Sequence, residues 1–204
     1  MFLAKAYNMR LTLLAATTLV ALAQPSLAAD VTGAYTKIDF EKTCKVIEEI
    51  KEGGSVSMRC EGYRDYVVHF AEGDLRHAVR FGYIDKNAAA IWQSFGQWNQ
   101  IGTTVEWRLA AGKPFAAILR WFIENTDDEG SADPNKVGQV LVVSRVGQPE
   151  DKQSCVVGYV DALANRNANA MARELADSHA VSFECGKDTP AYHGTRGGLS
   201  GNPG

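Results

Sequence analysis

The chain has 204 residues, 46% hydrophobic and 22% charged, with a formal net charge of −3. This is ordinary globular composition, and it excludes a coiled coil, a collagen-like fibre and a wholly disordered chain. With 21 basic residues against 24 acidic ones, the chain has no positive field with which to hold a nucleic acid.

The chain opens with the basic residues Lys5 and Arg10, an uncharged apolar run over residues 11–23 (LTLLAATTLVALA), and the small-x-small triplet Ser26-Leu27-Ala28. This layout predicts a cleaved signal peptide over residues 1–28. The run is shorter than the ~20 residues that a bilayer-spanning helix needs. Met9 is an alternative start, because Met9-Arg10 keeps a charge before the run. Cleavage removes Lys5 and Arg10, so the mature domain is more acidic than the whole chain. No Cys stands directly after the cleavage position, so the pattern is not that of a lipoprotein, and no second apolar run is long enough to span a bilayer. The expectation is a soluble periplasmic or secreted protein.

The mature length suits one domain over residues 29–185, with two lobes near 29–84 and 85–185 as a variant. Its first half reads as short strands between turn signals. Residues 55–60 alternate in polarity and end at Glu61-Gly62. Residues 66–70 are β-branched and aromatic and stop at Glu72-Gly73-Asp74. Residues 75–81 follow and end at Gly82. The three segments predict an antiparallel meander. Residues 85–95 (DKNAAAIWQSF) have helical composition, with Asp85 as the cap. Val105, Trp107 and Leu109 then alternate with polar residues, and Phe115, Ala117, Leu119 and Trp121 alternate with Ala116, Ile118 and Arg120 after a turn over 110–114. Pairing the two runs sets Trp107 against Ala117 and Val105 against Leu119, with the apolar sets on one face. Residues 124–136 form an acidic loop, and residues 137–146 and 155–160 form two apolar strands. Ala168, Met171, Ala172, Leu175 and Ala176 repeat at helical spacing, which predicts a helix over 165–180 lying close on the sheet. Six glycines from Gly186 onward predict a disordered tail over 186–204. The expected class is α+β, a mainly antiparallel sheet with a C-terminal amphipathic helix on one face.

Cys44, Cys60, Cys155 and Cys185 all lie in the mature chain, and an even count in an exported protein predicts two disulfides. Of the three connectivities, Cys44–Cys60 with Cys155–Cys185 couples neighbouring segments. The chain-entropy gain is about 3 kcal/mol for the shorter loop and slightly more for the longer. There is no C-x-x-C pair and no His at ligand spacing from a Cys, which argues against zinc and against thioredoxin-like chemistry.

No nucleophile elbow, H-E-x-x-H or phosphate-binding Gly-rich loop occurs, and no cofactor is expected. His69 and His77 fall on adjacent strands around Asp74, a geometry a metal site would use, although surface histidines on a meander are the simpler account. Asp127, Glu129, Ser131 and Asp133 echo half of a calcium loop but lack its later Glu and its Gly, so a solvated loop is expected. Carboxylate pairs such as Asp74 and Glu106 suit a glycosidase only with the right geometry. Four tryptophans (Trp92, Trp98, Trp107 and Trp121) crowd into thirty residues. Trp107 and Trp121 fall on the core face, and Trp92 fits the core side of the expected helix. Trp98 sits in a polar stretch, Gly96-Gln97-Trp98-Asn99-Gln100, and is the candidate for exposure, although core packing is the simpler account even for it, since Trp is buried on average. An exposed Trp beside amides suits sugar stacking or a protein contact. Glu106, Arg108 and Arg120 share the opposite sheet face, where the two arginines would hold an anion if the face is open, although cross-strand ion pairing on a solvated face is the simpler account.

The stretches EGDLRHAVRFG (72–82), VEWRLAAGKPFAAILRW (105–121) and CVVGYVDALANRNANAMARELAD (155–177) resemble segments of small exported proteins of Gram-negative bacteria that carry no assigned function. The resemblance implies a periplasmic address and the Cys155–Cys185 staple, and it carries no site residue. The resulting expectation is a non-enzymatic module that binds an envelope component or another protein. An envelope hydrolase, or a small inhibitor of a lysozyme or protease, are its alternatives.

Overall fold

The computed structural model describes residues 30–85 and 93–204. The expected signal segment over 1–28 and most of the expected helix over 85–95, with Trp92, lie outside the described residues.

The strands are β1 (Val31–Lys37), β2 (Cys44–Ile50), β3 (Ser55–Tyr63), β4 (Tyr66–Gly73), β5 (Arg76–Phe81), β6 (Asn99–Ala110), β7 (Lys113–Ile123), β8 (Gly138–Arg145), β9 (Val156–Asp161) and β10 (Ala191–Tyr192). One helix, α1 (Ala168–His179), lies between β9 and β10. The described chain is therefore mostly β. The strand order is β10-β9-β8-β7-β6-β5-β4-β3-β2, with β1 paired to β6 off that path. β10 runs parallel to β9, and β5 meets the start of β6 in parallel at Arg76 and Asn99. The other pairings between strands are antiparallel. The sheet is thus mixed, with most of its pairings antiparallel as expected and two parallel ones that were not. Composition could not reveal a parallel strand made of only Ala191 and Tyr192.

β7, β8 and β9 are buried along nearly their whole length, so both of their faces need cover. The inner face carries Ala117, Leu119, Trp121, Val140 and Val142. It packs with Cys60, Val68, Phe70, Val79 and Phe81 of the meander in one core. Trp107 is fully buried there. Its ring centroid lies 5.5 Å from Phe81 in an edge-on arrangement, and its indole N–H donates to Thr36 Oγ1 at 2.8 Å. The outer face carries Ala116, Ile118, Leu141, Val143, Val157 and Val160, and α1 covers it with Ala168, Ala172, Leu175 and Ala176. Alanines at the contact let the helix axis approach the sheet closely, as the spacing predicts.

The expected hairpin register holds, with Val105 opposite Leu119 and Trp107 opposite Ala117. Its turn is Ala111-Gly112, both at positive φ, the geometry that matches the twist of a two-residue hairpin. Phe115 departs from the expectation. Register shifts between Arg108 and Leu109, whose partners are Ala116 and Pro114, so Phe115 is the extra residue of a bulge. It packs with the helix-side cluster instead of sharing the face of Ala117.

Both expected disulfides are present. Cys44–Cys60 joins directly opposed residues of β2 and β3, and Cys155–Cys185 ties the entry of β9 to the segment after α1. The helix starts three residues later than expected. Asn165 is engaged elsewhere: its amide donates to Asp161 O at 2.9 Å and Thr195 O at 2.7 Å. The segment from Gly186, expected to be disordered, packs against the fold. β10 lies along β9, Gly197 N donates to Asp161 Oδ2 at 2.8 Å, and Arg196 Nη2 donates to Gly201 O at 2.6 Å. Its glycines serve close approach. A Cβ on Gly194, whose φ is +80°, would stand 2.3 Å from Met171 Cε. Among the described residues no helix is long and apolar enough to cross a membrane.

The seam between the meander and the long strands is tightest at Gly62, where a Cβ would lie 2.2 Å from Tyr66 O and 2.9 Å from Trp107 Cζ2. Neither the carbonyl nor the locked indole can yield, so Gly62→Ala should cost about 1–3 kcal/mol of stability in urea unfolding. Gly73→Ala meets only Ser55 Cβ at 3.6 Å and should change stability by less than about 1 kcal/mol. Equal effects of the two substitutions would contradict this packing.

Candidate functional site

The residues singled out from the sequence fall into two separate places. Trp98 lies just before β6, with 39% of its surface exposed, and lines a groove of about 350 Å³ with Arg76, Gln97, Glu124, Asn125 and Thr126. Arg76 reaches the groove from β5. Its Nε donates to Gly96 O at 3.0 Å and its Nη1 pairs with Asp74. Glu124 stands directly across from the tryptophan, where its backbone N–H donates to Trp98 O at 2.9 Å. The Glu124 carboxylate accepts one bond, from Gln100 Nε2 at 3.2 Å. The groove therefore offers an aromatic face, a guanidinium and a carboxylate at its rim.

Residues 94–98 have no regular structure, and side chains hold them in place. Asn99 is 1% exposed and makes three bonds: Nδ2 donates to Ser94 Oγ and to Gln97 O, and Oδ1 accepts from His77 N. His77 carries the next layer. Its Nδ1 accepts the Ile101 N–H at 3.2 Å, and its ring packs edge-on against Phe70 at 4.8 Å. The C-terminal segment braces the other side. Asn202 N donates to Gln97 Oε1 at 2.9 Å, and Gly96 N donates to Asn202 O at 2.8 Å. The loop of Trp98 is thus held by β5, β6 and the segment after β10.

The second place is the outer sheet face of Glu106, Arg108 and Arg120, and it is covered only in part: Glu106 and Arg120 line a cavity of about 340 Å³ with Tyr35, Ile118 and Asn169. α1 crosses it and supplies partners. Arg108 Nε and Nη2 form a two-pronged contact with Asp177 at 2.8 and 2.6 Å, and Arg108 Nη1 lies 3.6 Å from Glu106 Oε1. Arg173 Nε donates to Glu106 Oε1 at 2.6 Å, and its Nη2 reaches Tyr35 Oη at 3.1 Å. The hydrogen-bonded Asp177 carboxylate, aided by Glu106, raises Arg108 above its ordinary range, and Glu106 does the same for Arg173. Arg108 therefore holds no anion beyond these carboxylates. Arg120 stands apart, donating to Gln139 Oε1 at 3.0 Å across from a bulge in β6, where register jumps between Ile101 and Val105. Trp98 is not part of this group, so the four proposed residues do not converge.

The remaining candidates are structural. His69 Nε2 contacts Gly82 O at 2.9 Å, while His77 is occupied as described. Among the described residues no group of three His, Cys, Asp or Glu side chains is placed to hold a metal. Asp127 Oδ1 accepts from the backbone N–H of Glu129 and of Ser131, which makes 127–133 a loop closed on itself. His193, placed by sequence in a flexible tail, packs against His179 at 5.7 Å. Sequence reasoning missed Arg76 and Glu124 as groove residues. Extending the hairpin register evenly sets Trp98 against Thr126. The β6 bulge shifts it to Glu124, and nothing local in the sequence marks that bulge beyond Gly102.

Glu106→Ala should cost about 1–3 kcal/mol, because its side chain is 11% exposed and its loss removes the carboxylate of Arg173, while Arg108 keeps Asp177. Arg120→Ala should cost less than about 1 kcal/mol. Urea midpoints of the two variants test this ordering. His77 supplies a pH test. Burial pulls it below its ordinary 6.5, outweighing the attraction of Glu72. The folded form resists a proton that the unfolded chain accepts, so stability is full above pH 6.5 and falls as pH drops toward the folded value. His193 is lowered too, by burial and then by His179, and adds the same sign. Urea midpoints at pH 7.5 and 5.5 should fall with acid in the wild type and fall less in His77→Asn, whose Oδ1 still accepts the Ile101 N–H. An equal fall in both proteins would count against His77. No protein-family model, curated protein or solved structure matches the chain, so the chemistry of the groove is argued from its own residues.

Proposed function

We propose that this is an exported periplasmic binding module, not a catalyst, and that its Trp98 groove takes a glycan segment of the cell envelope. The observation that carries this reading is the exposed indole of Trp98 between Arg76 and Glu124. A pyranose ring offers one face of C–H groups that packs on an aromatic plane. Its equatorial hydroxyls need both donors and acceptors around that plane, and the Arg76 guanidinium and the Glu124 carboxylate supply one of each. A groove of about 350 Å³ is the size of a small-ligand site. A protein partner of standard affinity would need a much larger patch.

The export side of the proposal is supported by two disulfides, which persist in an oxidising compartment, and by the layout of residues 1–28. An acidic chain is consistent with a partner that is not a nucleic acid.

Isothermal titration with soluble peptidoglycan fragments and with β-linked N-acetylglucosamine oligomers tests the reading. Binding is expected in the wild type, and Trp98→Ala should weaken it at least tenfold, about 1.4 kcal/mol. Glu124→Gln should weaken it less and leave the fold intact. Absence of binding at millimolar ligand, or equal binding by Trp98→Ala, would overturn the proposal. Cleavage of the oligomers would instead favour the hydrolase alternative.

A further inference from the structure

A second cavity, of about 450 Å³, lies at the other end of β5, and Arg80, Gln93, Lys152, Ser154, Lys187 and Thr189 are among the residues around it. Its floor is Arg80, which is 8% exposed. The guanidinium makes one described contact, from Nε to Ser154 O at 3.3 Å. Its Nη1 is buried and has no hydrogen-bond partner, the single such side-chain atom among the described residues. Burying a charged donor without a partner costs several kcal/mol, and natural structures rarely carry that cost without a use for the group.

Three carboxylates, Asp85, Asp151 and Asp188, share the lining, and none of them makes a hydrogen bond to Nη1. Asp151 is taken by Arg145, and its Oδ1 accepts the N–H groups of Gln148 and Gln153. Asp188 caps the backbone N–H of Glu184. Asp85 favours the charged form of Arg80 from nearby, but burial outweighs it and pulls the guanidinium below its ordinary range. A guanidinium stays protonated even so, and Arg80 lines the cavity with one of its N–H groups unmet. Two more cations stand around the cavity. Lys152 is exposed and held at positive φ, and Lys187 is paired only with the exposed Glu184.

The wall of this cavity is built by the staple. Phe81 N donates to Ser154 Oγ at 2.9 Å, which docks β5 on the residue before Cys155. The Cys155–Cys185 bond then carries residues 186–190 across the opening. The site is thus assembled from β5, the loop before β9 and the segment after α1, and it shares no lining residue with the Trp98 groove.

We propose that this cavity binds a small-molecule oxyanion, a carboxylate or phosphate group seated on Arg80 with Lys152 and Lys187 around it. Both groups match the planar guanidinium and draw on the same cations. The cavity has room for a small organic body attached to the anionic head.

Isothermal titration of the full mature chain with inorganic phosphate and, separately, with succinate distinguishes the two sources of the anion, with sodium chloride at matched ionic strength as the baseline. One of the two should bind with Kd below ~1 mM. Arg80→Met, which keeps the stem and removes the buried charge, should weaken that binding at least tenfold. Lys152→Ala, at an exposed position, should weaken it a few-fold and leave the unfolding midpoint in place. Circular dichroism checks that Arg80→Met is folded; if it is not, Lys152→Ala decides alone. Binding of neither anion above the chloride baseline, or undiminished binding by Lys152→Ala and by folded Arg80→Met, would overturn the proposal. Because Trp98→Ala leaves this cavity untouched, failure here is independent of failure in the groove.

Discussion

The constraint on which this molecule depends is that its central strands are apolar on both faces. β7, β8 and β9 present Ala117, Leu119, Trp121, Val140 and Val142 to one side and Ala116, Ile118, Leu141 and Val143 to the other. A sheet of that kind cannot stand with one face in water, since each large buried side chain is worth ~1.5–3 kcal/mol against exposure. It must be covered twice. The meander β2–β5 covers the inner face, with Phe81 and Tyr63 closing around Trp107. The alanine-faced helix α1 covers the outer one. The two disulfides staple the covering layers: Cys44–Cys60 within the meander and Cys155–Cys185 across the helix that follows β9.

Double coverage also decides where ligands can reach. The middle of the sheet is closed from both sides, so openings remain where strands end or leave register. The Trp98 groove lies where β5 and β6 touch at the single pair Arg76 and Asn99, beside the end of β7. The Arg80 cavity lies at the opposite end of β5, where that strand docks on Ser154 and Gly147. One short strand therefore carries a residue into each site, Arg76 and Arg80, four positions apart on the same edge of the meander.

Much of this was legible from sequence wherever the pattern was local. Alternation over residues 103–121 gave the hairpin register, because a slip of one residue would have turned Trp107 and Leu119 out of the core. The even cysteine count and their spacing gave both staples. The polar neighbours of Trp98 made it the tryptophan to suspect of exposure, against the general tendency of Trp to be buried. What escaped were features set by distant partners. Arg108 was expected on an open face because Asp177, 69 residues later, could not be seen to meet it. Phe115 was assigned to the wrong face because a bulge leaves no mark in composition. The glycines after Gly186 look like the signature of disorder, but here they let the chain pass close over Met171 and Asp161. Glycine count alone does not separate flexibility from tight approach.

The two buried arginines show how far residue type falls short of role. Arg108 and Arg80 both sit on strands with little exposure, and either could have been read as an anion site. Their surroundings drive them in opposite directions. Arg108 has a carboxylate at each side, so its charged form is favoured beyond its ordinary range and its work is to pin α1 to the sheet. Arg80 has a carbonyl and a buried, unmet N–H, and burial outweighs the attraction of Asp85. A guanidinium whose partners are already present is part of the scaffold. One whose partner is missing marks the place where the molecule has paid in stability for something that arrives from outside.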